Sequence, residues 1–181
     1  GVEPKARTAI IFHGPSATDR PTISMLRTVA DVLELRLRER LREELSGTYG
    51  VSVSGGAEKQ PVPQYRVSVE FGAAPERVDE LSRVVFAEID SLKANGPSAT
   101  DLQKVREAHR REREVSQRDN GWWMGALMTY DEYGWDPRQI PSLPLSQGFT
   151  ATDVRDAARR YLDAARYVQV TLYPESPPAA R

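Results

Sequence analysis

The sequence predicts an α+β domain, a two-layer sandwich in which a mostly antiparallel sheet carries helices on one face. Two observations lead there. Segments that alternate with period two and segments with helical spacing follow the order strand, long helix, two strands, two helices, a further helix and a closing strand. Strands and helices are therefore segregated, which favours two layers over a doubly wound parallel fold. The central pair of strands also has the form of a hairpin, so the first and last strands are expected to join it in one sheet.

The first strand is Arg7 to His13, "RTAIIFH", a β-branched and aromatic run closed by Gly14-Pro15. A helix is predicted from Pro21 to Leu45, because Leu26, Ala30, Leu33, Leu37, Leu41 and Leu45 recur at three- and four-residue steps and Pro21 is tolerated in a first turn. Its other face carries Glu34, Arg36, Arg38, Glu39, Arg40, Glu43 and Glu44, expected to form a solvated, salt-bridged surface. Ser46 and Gly47 break the helix. Thr48 to Ser54 and Gln64 to Phe71 then alternate as a hairpin with an unusually long connection.

Pro75 opens a second helix with the stripe Val78, Leu81, Val85, Ile89 and Leu92, ended by Asn95-Gly96-Pro97. Ser98 with Asp101 is a capping arrangement for a third helix. It runs from Ala99 through a charged stretch into the aromatic-rich "NGWWMGALMTYDEYGW", with a break or bend at Asn120-Gly121. A last helix, Thr152 to Ala164, turns Val154, Ala158, Tyr161 and Leu162 inward and leads into the strand Tyr167 to Tyr173, which Pro174 stops. Residues 1–174 are thus expected to form a single domain, and "PESPPAAR", largely residues 175–181, a linker or tail.

Composition excludes several function classes. The 181 residues hold 25 basic and 26 acidic side chains, so nucleic acid and anionic membrane surfaces are not the expected partners. No 18-residue apolar run predicts membrane insertion. Without Cys there is no disulfide framework, thiol nucleophile or thiolate metal site. The opening Gly1-Val2-Glu3-Pro4 has the character of an excised or processed piece of a longer protein.

The chain carries no complete set of catalytic groups in recognisable order. A hydrolytic zinc site needs about three His or carboxylate ligands, and only His13 and His109 are present. The string "HRRER", His109 to Arg113, is the inverted zinc motif H-x-x-E-H with its second His replaced by Arg113, whose permanent charge repels a cation. His109 is expected to be an ordinary, partly exposed helix residue and His13 a structural one. No G-x-S-x-G elbow and no phosphate-binding loop occur.

One pair remains. Arg42 and Tyr49 stand on the two sides of the turn between the long helix and the next strand. Arg42 could simply complement the negative end of the helix dipole while Tyr49 packs on the sheet. Alternatively both aim donors into a cleft, where guanidinium and phenol grip one carbonyl oxygen.

The stretch "LRERLREELSGTYGVSVSG" resembles the signature of the non-catalytic C-terminal half of the pitrilysin-type zinc peptidases, a group that includes insulin-degrading enzymes and mitochondrial processing peptidases. The matching positions are Arg42, Glu43, Gly47 and Tyr49, with the Tyr seven residues after the Arg. Ser46-Gly47-Thr48 departs from the apolar filler of many relatives but leaves that spacing intact. "YRVSVEFGAAPERVDEL", "EIDSLKANGPSATDLQKVR", "TATDVRDAARRYL" and "YVQVTLYP" resemble the family's later segments in order, and "RDNGWWMGAL" resembles its bacterial zinc-protease branch.

The resemblance implies a processing-peptidase-like fold and a half-enzyme: zinc in a missing N-terminal half bearing H-x-x-E-H, none in this chain, and a peptide substrate between the halves. Arg42 and Tyr49 would bind substrate backbone, and the isolated chain would be inactive. A bacterial periplasmic or cytoplasmic location is left open. The alternatives are a proteolytically silent subunit with the same fold, or a peptide-binding scaffold whose edge strand augments a partner sheet.

Overall fold

The computed structural model describes residues 5–44 and 50–175, the side chains of residues 42–44 excepted. Among the described residues four strands form one sheet: β1 (Ala6–Pro15), β2 (Val51–Glu58), β3 (Gln64–Ala73) and β4 (Tyr167–Leu172). Their order across the sheet is β2-β3-β1-β4 and every pairing is antiparallel. Five α-helices accompany it: α1 (Arg20–Glu44), α2 (Val78–Asn95), α3 (Ala99–Ser116), α4 (Asn120–Tyr133) and α5 (Ala151–Tyr161).

The core lies between the sheet and the helices. Ala6, Thr8, Ile10 and Phe12 alternate inward along β1, and Tyr65, Val67, Val69 and Phe71 do the same along β3. They meet Leu26, Ala30, Leu33, Leu37 and Leu41 of α1 and the Val78, Leu81, Val85, Ile89 and Leu92 stripe of α2, all buried. Both stripes are the ones that the three- and four-residue spacing predicts. Two layers with helices on one face are thus what the order of periodic segments requires.

The hairpin differs from expectation. β2 extends through Gly55-Gly56 to Glu58, leaving residues 59–63 as the connection, so the loop is short instead of long. Both glycines lie within the strand, and at Gly55 α1 presses on it. A Cβ on Gly55 would stand 2.4 Å from the Leu26 carbonyl oxygen and 2.9 Å from its carbon, whereas a Cβ on Gly56, on the other face, would meet nothing within 4 Å.

Asp119 caps the start of α4 by accepting from Gly121 N–H at 2.7 Å, so the break anticipated at Asn120-Gly121 falls just before it. Gly96 ends α2 at φ 72°, a left-handed value, against the Ala151 carbonyl. α5 opens with a capping box. Asp153 N–H donates to Thr150 Oγ1 at 3.1 Å, while the Asp153 carboxylate accepts from Thr150 N–H and O–H, each at 2.7 Å.

Two stability predictions follow from these contacts. Gly55→Ala should lose about 3 kcal/mol, since a helix backbone cannot yield to a methyl group, while Gly56→Ala should stay within about 0.5 kcal/mol of wild type. Urea unfolding of the pair measures the contrast.

The Thr150 hydroxyl, and then its N–H, hold the Asp153 carboxyl below its ordinary value of 3.8. A depressed folded pKa adds stability that is present above the unfolded value and lost as pH falls through the folded one. Asp153→Ala should therefore be less stable than wild type at pH 7, with the gap narrowing below pH 3.8. Paired urea midpoints across that range test the sign.

Candidate functional site

Of the predicted pair, Arg42 falls at the C-terminal end of α1. Arg42 is in the last turn of that helix; its side chain and the whole of Tyr49 lie outside the described residues. What the structure does give is the frame that fixes this end of the helix. Leu37 and Leu41 anchor it in the core.

Three charged side chains on the face expected to be solvated tie it sideways. Arg36 Nε lies 2.5 Å from Glu88 Oε1 of α2, in a pair only 18% and 11% exposed, and Arg36 also donates to Ser91 Oγ at 2.8 Å and to the Gly96 carbonyl at 3.2 Å. The Glu34 carboxylate accepts from Val53 N–H of β2 at 2.7 Å and from Arg38 at 2.5 Å. Glu39 meets Lys104 of α3 at 3.1 Å. The expected salt bridges are present, but the face is only partly solvated, because α2 and β2 pack against it and bring acceptors and donors within reach.

Past Tyr49, Gly50 borders an open cleft of about 380 Å³ at the end of the sheet, between the start of β1 and the β2–β3 pair. Arg7 and Glu70, paired at 2.5 Å, and Ser52 line it.

The structure also joins groups that sequence spacing left apart. His109 is buried, 8% exposed, where a partly exposed residue was expected. Its Nε2 is 2.5 Å from Asp31 Oδ2 of α1 and its Nδ1 2.8 Å from Ser146 Oγ in a one-turn helix at Leu145–Gly148. A carboxylate accepts, so Nε2 carries the proton, and in the neutral ring Nδ1 accepts from the serine hydroxyl. The three residue types are those of a nucleophilic triad, yet Ser146 is fully buried and no carbonyl substrate can reach its oxygen. The arrangement is a strut between α1, α3 and the segment before α5. Removing one partner leaves a buried polar atom unsatisfied, at a cost of about 1–3 kcal/mol.

The near-motif "HRRER" does not fit a metal. Both His109 nitrogens are engaged, and Glu112 is bound by Arg27. Among the described residues no three His, Cys, Asp or Glu side chains stand close enough to hold an ion. No helix among them is long and apolar enough to cross a membrane.

Residues 1–108 match the family described as the peptidase M16 inactive domain. The chain belongs to this family. The M16 inactive domain is 30% identical over 102 residues to the protein named probable zinc protease PqqL of Haemophilus influenzae, a match covering 56% of the chain and 11% of that relative. In fold it is similar to the periplasmic protease PqqL of Escherichia coli, with a TM-score of 0.75 and 24% identity over 97% of this chain and 20% of that one. It is also similar to the inactive peptidase domain of a Bordetella parapertussis protein, at a TM-score of 0.77 and 21% identity, covering 99% of this chain and 96% of the other. The domain thus spans about a tenth of the curated relative and a fifth of the longer solved structure.

Family membership and the engaged ligands lead to one expectation. Dialysis of the chain against EDTA should leave its melting temperature unchanged, and metal analysis of the untreated chain should find far less than one zinc per molecule. One tightly held zinc on His109 and Glu112 would show that the strut opens to coordinate.

Proposed function

We propose that this M16 inactive domain, residues 1–174 with 175–181 as a linker or tail, is the substrate-binding half of a bacterial zinc endopeptidase. In this reading an N-terminal half supplies zinc, the peptide lies between the halves, and Arg42 and Tyr49 bind its backbone. The observation that carries the proposal is the position of the pair in a chain of this family. Arg42 sits in the last turn of α1, a helix tied to α2, β2 and α3, and Tyr49 stands in the sequence two residues before β2 and next to Gly50, which borders the open cleft.

Guanidinium and phenol are both hydrogen-bond donors, which suits a carbonyl oxygen and negative charge developing on it. A donor anchored on a rigid helix is preorganised, and only a preorganised donor serves a transition state better than water does.

The surface supports a partner half. The helix-free face of the sheet carries an apolar strip of Ile11, Val168, Val170 and Leu172, with Val168, Val170 and Leu172 48%, 48% and 66% exposed. Met124, Leu127 and Met128 of α4 are exposed as well. Relatives that are several times longer supply further chain to cover such faces.

The test is made in the full-length protein. Tyr49→Phe deletes the hydroxyl and keeps the ring, and Arg42→Ala deletes the guanidinium. Each should lower kcat/KM toward peptides on the order of a hundredfold, with zinc content and melting temperature nearly unchanged. Wild-type efficiency in both variants would leave the pair as a helix end and a packed ring. Absence of any peptide cleavage by the intact protein would favour the silent-scaffold reading.

A further inference from the structure

At the opposite end of α1 from Arg42, three guanidinium groups converge on one cavity. Arg20 and Arg27 come from the first two turns of α1 and Arg113 from α3, and they line a space of about 220 Å³ walled on another side by Trp122 and Tyr130 of α4. Arg20 and Arg42 are 22 residues apart on one helix, roughly 33 Å along its axis, so this cavity is separate from the Arg42–Tyr49 turn.

We propose that the cavity is a binding site for a carboxylate carried on a peptide, either an acidic side chain or a free C-terminus. The choice of a peptide as carrier rests on the function proposed above; the chemistry of the pocket does not.

Three features of the site argue for it. The first is charge. Glu112 is the one carboxylate in the cavity wall among the described residues, and Arg27 holds it while also lying 3.6 Å from Asp31, itself committed to His109. Among the described residues, Arg20 and Arg113 have no carboxylate partner of their own. Arg20 donates to the Gln139 side-chain oxygen, and Arg113 donates through Nη1 to the Ile140 carbonyl at 2.7 Å. A guanidinium has five N–H donors, so each retains capacity.

The second feature is orientation. The Arg113 carbon Cζ sits 5.0 Å from the Trp122 ring centroid and that of Arg20 sits 5.3 Å from the Tyr130 centroid. Rings at those distances hold the cations in place and shield them on one side, which is the preorganisation that bidentate carboxylate recognition needs.

The third is mutual repulsion. Burial first, and then the fields of Arg20 and Arg27, push the Arg113 guanidinium below its ordinary value, against opposing contributions from Tyr130 and Glu112. An anion in the cavity relieves all three cations at once. Ile23 and Leu145 beside them offer apolar contact to a methylene stem, which a carboxylate side chain has and a free phosphate lacks.

The experiment uses the 181-residue chain, whose extent matches the Bordetella parapertussis domain solved by itself. Tryptophan fluorescence and amide chemical shifts are followed during titration with four probes: acetyl-Gly-Glu-Gly-amide, acetyl-Gly-Gly-Gly with a free carboxylate, acetyl-Gly-Gln-Gly-amide and inorganic phosphate. The expected result is a saturable response to at least one carboxylate peptide, none to the Gln peptide, and about tenfold weaker binding in Arg20→Gln and in Arg113→Gln. Which carboxylate peptide responds tells a side chain from a terminus.

An equal response to the Gln peptide, unchanged affinity in the Arg variants, or saturation by phosphate with neither carboxylate peptide would each overturn the proposal. Arg20→Gln leaves the Ile140 contact in place and decides the matter should Arg113→Gln fail to fold. No cleavage is measured, so failure here leaves the Arg42 and Tyr49 proposal standing, and failure there does not touch this one.

Discussion

The close seat of α1 on the sheet is the constraint on which the rest of the domain depends. Leu26, Leu33 and Leu37 are fully buried along it, and at Gly55 the helix backbone comes so near the strand that no side chain fits between them. A helix held at that distance cannot rotate or slide without losing a row of core contacts. The helix therefore places Asp31, Arg20 and Arg27 directly and carries Arg42 in its last turn.

Charged side chains on the remaining faces of α1 then fix its register against each neighbour. Solvent-exposed pairs such as Glu39 with Lys104 add little stability, since water and salt screen them. The nearly buried Arg36–Glu88 pair acts differently. Its net contribution against an apolar pair is small, but loss of one partner strands a charge in the interior at about 3–5 kcal/mol, so α1 and α2 have one favoured alignment. The Asp31–His109–Ser146 strut does the same between α1 and α3.

Local patterns were legible in the sequence: both long apolar stripes, the Ser98 cap, the Gly96 stop, the β-branched run of β1 and the alternation of β3, whereas the Thr150 capping box was not. Contacts between distant segments were not. Asp31 and His109 are 78 residues apart and Arg36 and Glu88 are 52 apart, and in sequence each is one more charge on a polar helix face. Glycine most often marks a turn, so Gly55-Gly56 reads as loop in the sequence, and only the position of Leu26 shows that Gly55 marks a close approach instead. The arginine cavity was hidden for the same reason, since three guanidiniums from positions 20, 27 and 113 converge only when α1 and α3 lie side by side.

The electrostatic character of the α1–α3 seam follows from how its ligand-type atoms are used. Metal binding needs open lone pairs, and along this seam the ligand-type groups are already engaged: the two nitrogens of His109, one donating and one accepting, the Asp31 carboxylate and the Glu112 carboxylate. What remains available is the other kind of group, the N–H donors of Arg20 and Arg113, whose fields reinforce one another. A seam whose acceptors are satisfied internally and whose donors are not attracts oxygen atoms bearing negative charge and repels cations. That polarity accounts for the absence of a metal-ligand cluster among the described residues and is the one that the proposed carboxylate site requires.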